Sequence, residues 1–585
     1  MQKEIQIGKE RFIVTSESGV ENVTLTSVTQ EEGCAVYELR VTAVDGQKPV
    51  SVKWTRPMLG VLSFWSPTAG RNRFFKQWFA ANTNVSKLYY GAPVYALIGQ
   101  GDRNYSTVAV SDAVNSVRMT VCVNDFEEKE NLDFVVHLLE EGVPEGVTEY
   151  CVRIRVDDRE IPYYETIPAV SRWWEEFYPR ENTQTKTGEY PLYSSWYNYH
   201  QNPTQESLEK EMEIAAGLGF KSVILDDGWS YAGRGTSDYF HCGNWEFEKT
   251  KFPDFKGFVE KLHKLGMVIA VWFPVPFVGY NSPDYAVWKD KMLYNSEGFR
   301  CGILDPRYPD VRDYIVNSYV RIVEKYDIDG LKLDFIDSFR CEKPDVLCET
   351  DPTGRDVKNV EEGVQKLLAQ IRETLTSKKE DFMIEFRQMY VGPTITRDCN
   401  MLRVADCAFD LATNRIGIVD LRLLDYPLAV HADMLLWSRT ETPENCSKML
   451  LNILFGVPQI SVLLQYCNPE QFEIVRRYVE YWTENRGVLL HGKFVAKNPE
   501  LNYPFVSAEG EEKTIAAVYA ETPVVYQGKP LDAFNASESS TLWVEMQKAG
   551  KASAYDCFGK LVDSRELTAG VYKLPVPVGG KLEIY

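Results

Sequence analysis

Gly330-Leu331-Lys332-Leu333-Asp334-Phe335 reads as a short buried strand that carries two charges. Leu331, Leu333 and Phe335 share one face by period-two alternation, and Lys332 and Asp334 share the other. Burying an ionised group costs several kcal/mol unless the group is paired or used. Upstream, Val311, Ile315, Tyr319, Ile322 and Tyr326 recur at helical spacing. A helix feeding a strand that ends in charge is the unit of an α/β barrel with chemistry at its carboxyl rim. A structural Lys–Asp ion pair is the other reading of this strand alone.

Working outward, the text after Pro191 alternates between strand and helix. Strand candidates lie at 192–197, 222–227, 268–273, 330–335, 382–387, 401–406 and 459–464. Helical stretches lie at 205–218, 255–265, 310–326, 360–376 and 444–455, with a closing helix at 469–485. Seven strands and these helices fit a (β/α)8 barrel better than a doubly wound sheet, with the missing strand sought in 414–437. Before the barrel, segments such as Ala35-Val36-Tyr37-Glu38-Leu39-Arg40-Val41 alternate between turn signals at Asp45-Gly46 and Gly101-Asp102. No long helical period appears up to about Arg180, which predicts an antiparallel β-sandwich. A polar run, Arg180 to Gly188, reads as a linker, and strands return after about Gly487 (514–519, 540–546, 570–575). The predicted organisation is a sandwich over 1–185, a barrel over 186–487 and a small C-terminal β-sandwich over 488–585.

At 585 residues the chain exceeds one compact core. Its formal charge is −20 with no basic run, which argues against nucleic acid or an anionic membrane and suits a neutral ligand. Aromatic residues make up 13%, compatible with stacking on sugars. No apolar run reaches the length of a span or signal peptide, and 12 scattered cysteines without a CxxC read as reduced thiols. The expected compartment is the cytoplasm. Six histidines without HxH or HExxH spacing predict no metal site, and no cofactor is expected.

Acids gather where the strand candidates end: Asp226-Asp227 after the second, Asp334 on the fourth, Asp406 on the sixth. A glycosidase needs two opposed carboxyl groups, charged donors for the hydroxyls and an aromatic wall. Lys332, Arg403 and Trp272 complete that inventory, and no Gly-rich phosphate loop follows these strands.

These stretches resemble the melibiase-type glycoside hydrolases of family 36, whose best-known members are α-galactosidases. The likeness rests on Leu225-Asp226-Asp227-Gly228-Trp229, Val271-Trp272-Phe273, Leu304-Asp305-Pro306, Leu331-Lys332-Leu333-Asp334 and Leu402-Arg403-Val404-Ala405-Asp406-Cys407. Phe64-Trp65-Ser66-Pro67, Pro93-Val94 and Ser111-Asp112 are similar to the family's sandwich. The resemblance implies that Asp334 is the nucleophile of a retaining reaction and Asp406 the acid/base. It implies that Asp226 and Lys332 bind sugar hydroxyls, that Arg403 contacts the ring or orients the nucleophile, and that Trp272 forms a sugar platform. Asp227, Trp196, Trp65 and Arg387 are further candidate substrate contacts. Lys332 is expected to keep Asp334 ionised, and Asp406 to have a raised pKa. The implied substrate is an oligosaccharide or glycoconjugate; self-association is left open. Alternatives are an α-N-acetylgalactosaminidase, a transglycosylase, or a binding protein without catalysis.

Two stretches depart from the family pattern. Glu385-Phe386-Arg387-Gln388-Met389-Tyr390 stands where many members have a Cys and Gly-rich segment near the sugar 2-position, so Arg387 and Tyr390 are expected to exclude an N-acetyl group by bulk. Phe273-Pro274-Val275-Pro276 replaces acidic residues and predicts a more apolar aglycone side. Adjacent strand residues cannot share a face, so Asp227 is expected to point away if Asp226 faces the ligand. Asp337 reads as a local cap. His431-Ala432-Asp433 reads either as a substrate contact or as a buried His–Asp pair, and Trp65 either as sandwich core or as a loop residue reaching the site.

Overall fold

The structure, a computed structural model, describes residues 1–42, 49–76, 82–123, 130–143, 147–180, 184–231 and 239–585. The Asp45-Gly46 turn and residues 181–183 of the linker lie outside them. Two six-stranded antiparallel sheets, running from Gln2–Ile7 to Glu149–Asp157, form the N-terminal sandwich. Alternation decides what each strand buries. On Val61–Trp65, Phe64 enters the sandwich core and stacks on Tyr95 at 5.4 Å, while its neighbour Trp65 faces the barrel-side core.

The barrel is an eight-stranded parallel sheet. Its strands are Leu192–Ser194, Ser222–Leu225, Val268–Pro274, Gly330–Asp334, Met383–Arg387, Met401–Arg403, Ala429–His431 and Gln459–Ile460. The eighth pairs with the first, and bridges His431↔Val457 and Leu435↔Ile460 join the seventh to the eighth, so the sheet nearly closes. The missing strand is Ala429–His431, inside the interval expected to hold it. Helices Gln205–Gly217, Phe255–Lys264, Pro309–Tyr326, Val360–Thr376, Pro443–Asn452 and Pro469–Glu484 match the helical readings to within a few residues.

Corrections fall at strand ends and at two helices. The first strand stops at Ser194, and Trp196 opens a helical turn, Trp196–Tyr199. The sixth stops at Arg403, which leaves Asp406 in the following loop. Helix Tyr163–Trp174 lies in the stretch read as strand; its buried positions Tyr163, Thr166, Ile167, Val170, Ser171 and Trp174 keep helical spacing, but an internal Pro168 reads as a breaker. Helix Leu411–Leu423 escapes the sequence reading because it is buried nearly all round, from Asn414 to Leu423.

C-terminal sheets of seven and three strands, from Lys493–Lys497 to Lys581–Ile584, pack against the barrel. Among the described residues, no helix is long and apolar enough to cross a membrane.

Candidate active site

Two glycines let the acid-bearing segments approach their neighbours. A Cβ on Gly330 would lie 2.6 Å from Met383 Cβ, so only glycine lets the fourth strand meet the fifth this closely. Gly228 has φ +99°, and a Cβ there would lie 2.4 Å from the Gln201 backbone. The turn after Asp226-Asp227 therefore requires it.

Parallel register sets the layers of the mouth. Lys332 stands between Trp272 and Glu385, and Arg387 beside Arg403. Lys332 Nζ donates to Asp226 Oδ2 at 2.6 Å, with both side chains buried. Asp226 also takes the Asp227 amide at Oδ1, 2.9 Å, while its own amide donates to Ser195 Oγ at 3.0 Å.

Asp334 ends the fourth strand. Its Oδ1 accepts from Arg387 Nε at 2.6 Å and from the Phe335 amide at 2.7 Å; its Oδ2 accepts from Trp272 Nε1 at 3.1 Å. Burial works to raise its pKa, but Arg387 and then Lys332 overcome it and hold the carboxyl well below the usual range. Lys332 thus contributes as expected, behind Arg387.

Several predicted contacts take other roles. Trp272 is 2% exposed, so its ring is no platform; it is a donor to the nucleophile candidate. Arg387 turns onto Asp334 and, at 3.4 Å, onto Asp337, instead of filling the space beside a sugar. Tyr390 is fully buried, its hydroxyl donating to the Leu333 carbonyl at 3.0 Å, so it cannot exclude an N-acetyl group by bulk. Arg403 makes no hydrogen bond to Asp334. It donates to Asp406 Oδ1 at 2.8 Å and to Asp433.

Asp406 faces the open mouth, 58% exposed. Its surroundings push its pKa up by desolvation, and Arg403 followed by Lys332 pulls it further down, so the net shift is downward and the expected raised pKa is not found. Asp227 points away from the Asp226–Lys332 pair, as expected. Its oxygens accept from Gln201 Nε2 at 2.7 Å and the Tyr231 hydroxyl at 3.0 Å, and burial raises its pKa to about 6 against those donors. Trp196 is half-buried at the start of the turn Trp196–Tyr199, edge-on to His200 at 5.1 Å.

Trp65 is neither sandwich core nor a site residue; its indole donates to Asp420 Oδ1 at 3.0 Å, on helix Leu411–Leu423. His431 and Asp433 are buried but not paired with each other. His431 Nε2 donates to the Gly188 carbonyl at 2.7 Å, and burial pushes its pKa down to about 3, so it stays neutral. Asp433 accepts from Arg403, the Tyr197 hydroxyl at 2.7 Å and the Cys407 amide at 2.7 Å. Asp337 makes no helix cap; it anchors the far end of Arg387.

Glu385 belongs to the site without having stood out in the sequence as a charge in its own right. It is 1% exposed, accepts from Gln459 Nε2 at 2.5 Å, and burial lifts its pKa to about 7 despite Arg403 and Lys332. The alternation that singles out Lys332 and Asp334 also puts Glu385 and Arg387 on one face.

Beside Arg387 opens a cavity of about 620 Å3, walled by Tyr90, Tyr294, Phe299 and Arg340. A larger one, about 750 Å3, lies between helix Tyr163–Trp174 and Leu490 to Phe494 and holds none of these acids.

Carboxylates, a buried lysine and arginine clamps converge on the carboxyl end of a (β/α)8 barrel, where barrel enzymes place their chemistry. Residues 165–385 match the Melibiase family model. The alpha-galactosidase Mel36A of Lactobacillus acidophilus is 28% identical over 149 residues, 24% of this chain and 20% of that protein. Alpha-galactosidase AgaA of Geobacillus stearothermophilus is 28% identical over the same length. The aligned part thus spans about a fifth of these relatives. Among solved structures, a single-substitution variant of AgaA in complex with 1-deoxygalactonojirimycin superposes with TM-score 0.65 at 14% identity, covering 98% of this chain and 83% of that one. The alpha-galactosidase from Lactobacillus brevis gives 0.63 at 13% identity, covering 100% and 83%. Residues 165–385 are thus similar to the Melibiase family, and the overall fold is shared with these solved alpha-galactosidases.

Proposed function

We propose that this protein is a retaining exo-α-galactosidase that cleaves terminal α-galactosyl residues from oligosaccharides. The observation that carries this reading is Asp334, a buried carboxylate held ionised by Arg387 and Lys332 and hydrogen-bonded by Trp272, with Asp406 on Arg403 at the same rim. The names of the relatives support the sugar. AgaA variants are described in complex with raffinose and stachyose, consistent with an α-galactosyl oligosaccharide as substrate.

In the mechanism, Asp334 attacks the anomeric carbon while Asp406 gives a proton to the departing oxygen, forming a glycosyl-aspartate. Water then attacks that carbon, Asp406 takes its proton, and Asp334 departs as a carboxylate. Lys332 and Asp226 meet the axial and neighbouring hydroxyls with charge-assisted hydrogen bonds. A gluco-configured ring forfeits such a charge-assisted hydrogen bond, although Lys332 and Asp226 stay paired with each other, so discrimination of about a hundredfold is expected.

A panel of nitrophenyl α-glycosides tests the sugar, and NMR of the first-formed anomer tests retention. Asp334→Ala should lose nearly all turnover while folding normally, and external azide should then release a glycosyl azide of inverted configuration. A variant keeping more than a few per cent of activity sinks the assignment. The α-N-acetylgalactosaminidase reading is favoured by one observation, the cavity of about 620 Å3 that opens beside Arg387. Comparing the 2-hydroxy and 2-acetamido sugars decides between the two.

A further inference from the structure

The two oxygens of Asp334 are not equivalent. Oδ1 takes two short hydrogen bonds, one from a guanidinium, whereas Oδ2 takes one longer bond from a neutral indole. A charged donor concentrates negative charge on the oxygen it holds, and the oxygen with fewer donors keeps lone pairs free for a new bond. We propose that Arg387 is a positioning residue that reserves Oδ1 as the carbonyl oxygen of the glycosyl-aspartate, leaves Oδ2 to attack, and governs the second half of the reaction. This rests on the retaining α-galactosidase reading above.

Arg387 is built to hold that post. Its Nε faces Asp334, its Nη1 donates to the Gln388 carbonyl at 2.8 Å, and its Nη2 reaches Asp337 Oδ1 at 3.4 Å. The guanidinium also lies 5.7 Å from the Phe335 ring and 5.4 Å from that of Tyr390, which the Leu333 carbonyl pins in turn. The head is therefore fixed from several sides before any charge moves.

In the first step the Oδ2–carbon bond forms as the bond to the leaving oxygen breaks, and Asp334 loses its charge. Asp337 then remains as a counter-charge for Arg387. In the second step the Oδ2–carbon bond breaks and its electron pair returns to the carboxylate. Arg387 favours the ionised carboxylate over the ester, so it makes Asp334 a weaker nucleophile and a better leaving group. Its removal should slow release from the glycosyl-enzyme more than formation of it.

The test compares wild type with Arg387→Gln and Arg387→Lys on a dinitrophenyl α-galactoside, whose formation step needs little help. For Arg387→Gln, kcat should fall about tenfold to a hundredfold, the range of one charged hydrogen bond. KM should fall with it, leaving kcat/KM little changed, and a burst of dinitrophenol equal to the enzyme concentration should appear. Azide should raise kcat of this variant more than that of wild type. Arg387→Lys should recover part of kcat, since it restores one charged donor, and it serves alone if the glutamine variant fails to fold. A parallel fall in kcat and kcat/KM with no burst and no azide effect, on an enzyme that retains configuration, overturns the role of Arg387 alone. An inverting wild type, or one inert on α-galactosides, overturns this and the parent reading together.

Discussion

Asp406 must be protonated to assist departure of the leaving group, yet Arg403 holds its pKa down as the side chain stands. A sugar over the mouth displaces water from this exposed carboxyl, and esterification of Asp334 changes the charge it faces; desolvation of this kind favours the protonated form. The pH profile of kcat/KM reports the free enzyme and that of kcat the complex. The basic limb of kcat should therefore lie at higher pH than that of kcat/KM; coincident limbs count against the assignment. Asp406→Asn should cripple natural oligosaccharides far more than nitrophenyl galactosides, whose leaving group needs little protonation, whereas equal loss on both substrates indicates a binding role. Lys332 and Asp334 stood out in the sequence because a charge on a buried strand face is conspicuous, and Asp226 and Asp406 because each follows a strand end. The postures of Trp272, Arg387 and Tyr390 were not legible there. At a strand end the side chain goes where its hydrogen-bond partners are, and those partners come from segments far apart in the chain.

The fifth strand, Met383–Arg387, repeats at element level what the fourth does: inward charges at alternate positions, Glu385 below Arg387. With its folded pKa near 7, Glu385 lies above the ordinary glutamate value, so its stabilising contribution is complete at low pH and fades as pH rises through about 7. Asp227 and Asp102, both raised to about 6, titrate over a neighbouring range, so only a difference isolates Glu385. Glu385→Gln should fold, since the Gln459 side-chain carbonyl has no partner and can accept an amide. Its melting temperature should fall less than that of wild type between pH 5 and 8, by a few degrees. Superimposable pH profiles would mean that Glu385 is ionised throughout. Elements were most legible where one face is buried, as in the 360–376 reading that coincides with Val360–Thr376. Leu411–Leu423 shows the opposite case: burial on every side erased the amphipathic signal and left Asp410, which caps the Thr413 amide at 3.1 Å, as its one local cue.

Across the whole molecule, one buried carboxylate joins all three parts. Asp420, on the barrel helix Leu411–Leu423, accepts from Trp65 Nε1 at 3.0 Å, from Arg73, and from the Tyr503 hydroxyl at 2.7 Å. Trp65 and Arg73 belong to the sandwich side and Tyr503 to the C-terminal sheets. The same helix is stitched onward by Arg415, which donates to the Asn502 carbonyl at 2.9 Å, and by Arg422, which donates to the Leu489 carbonyl at 2.6 Å. Removing one partner of a buried ion pair leaves the other desolvated and alone, a loss of about 3–5 kcal/mol. Asp420→Ala strands a guanidinium, an indole and a phenol at once, whereas Asp420→Asn preserves shape and some hydrogen bonds but not charge. Unfolding in urea, followed by tryptophan fluorescence and by far-UV circular dichroism, should therefore show the alanine variant melting earliest. Its two probes should separate, because the sandwich is released before the barrel, while the asparagine variant falls between it and wild type. Limited proteolysis should then release a fragment ending before the barrel from Asp420→Ala only. If both variants unfold at the wild-type midpoint with coincident probes, the cluster is not what couples the three parts, and the burden passes to the contacts of Arg415 and Arg422.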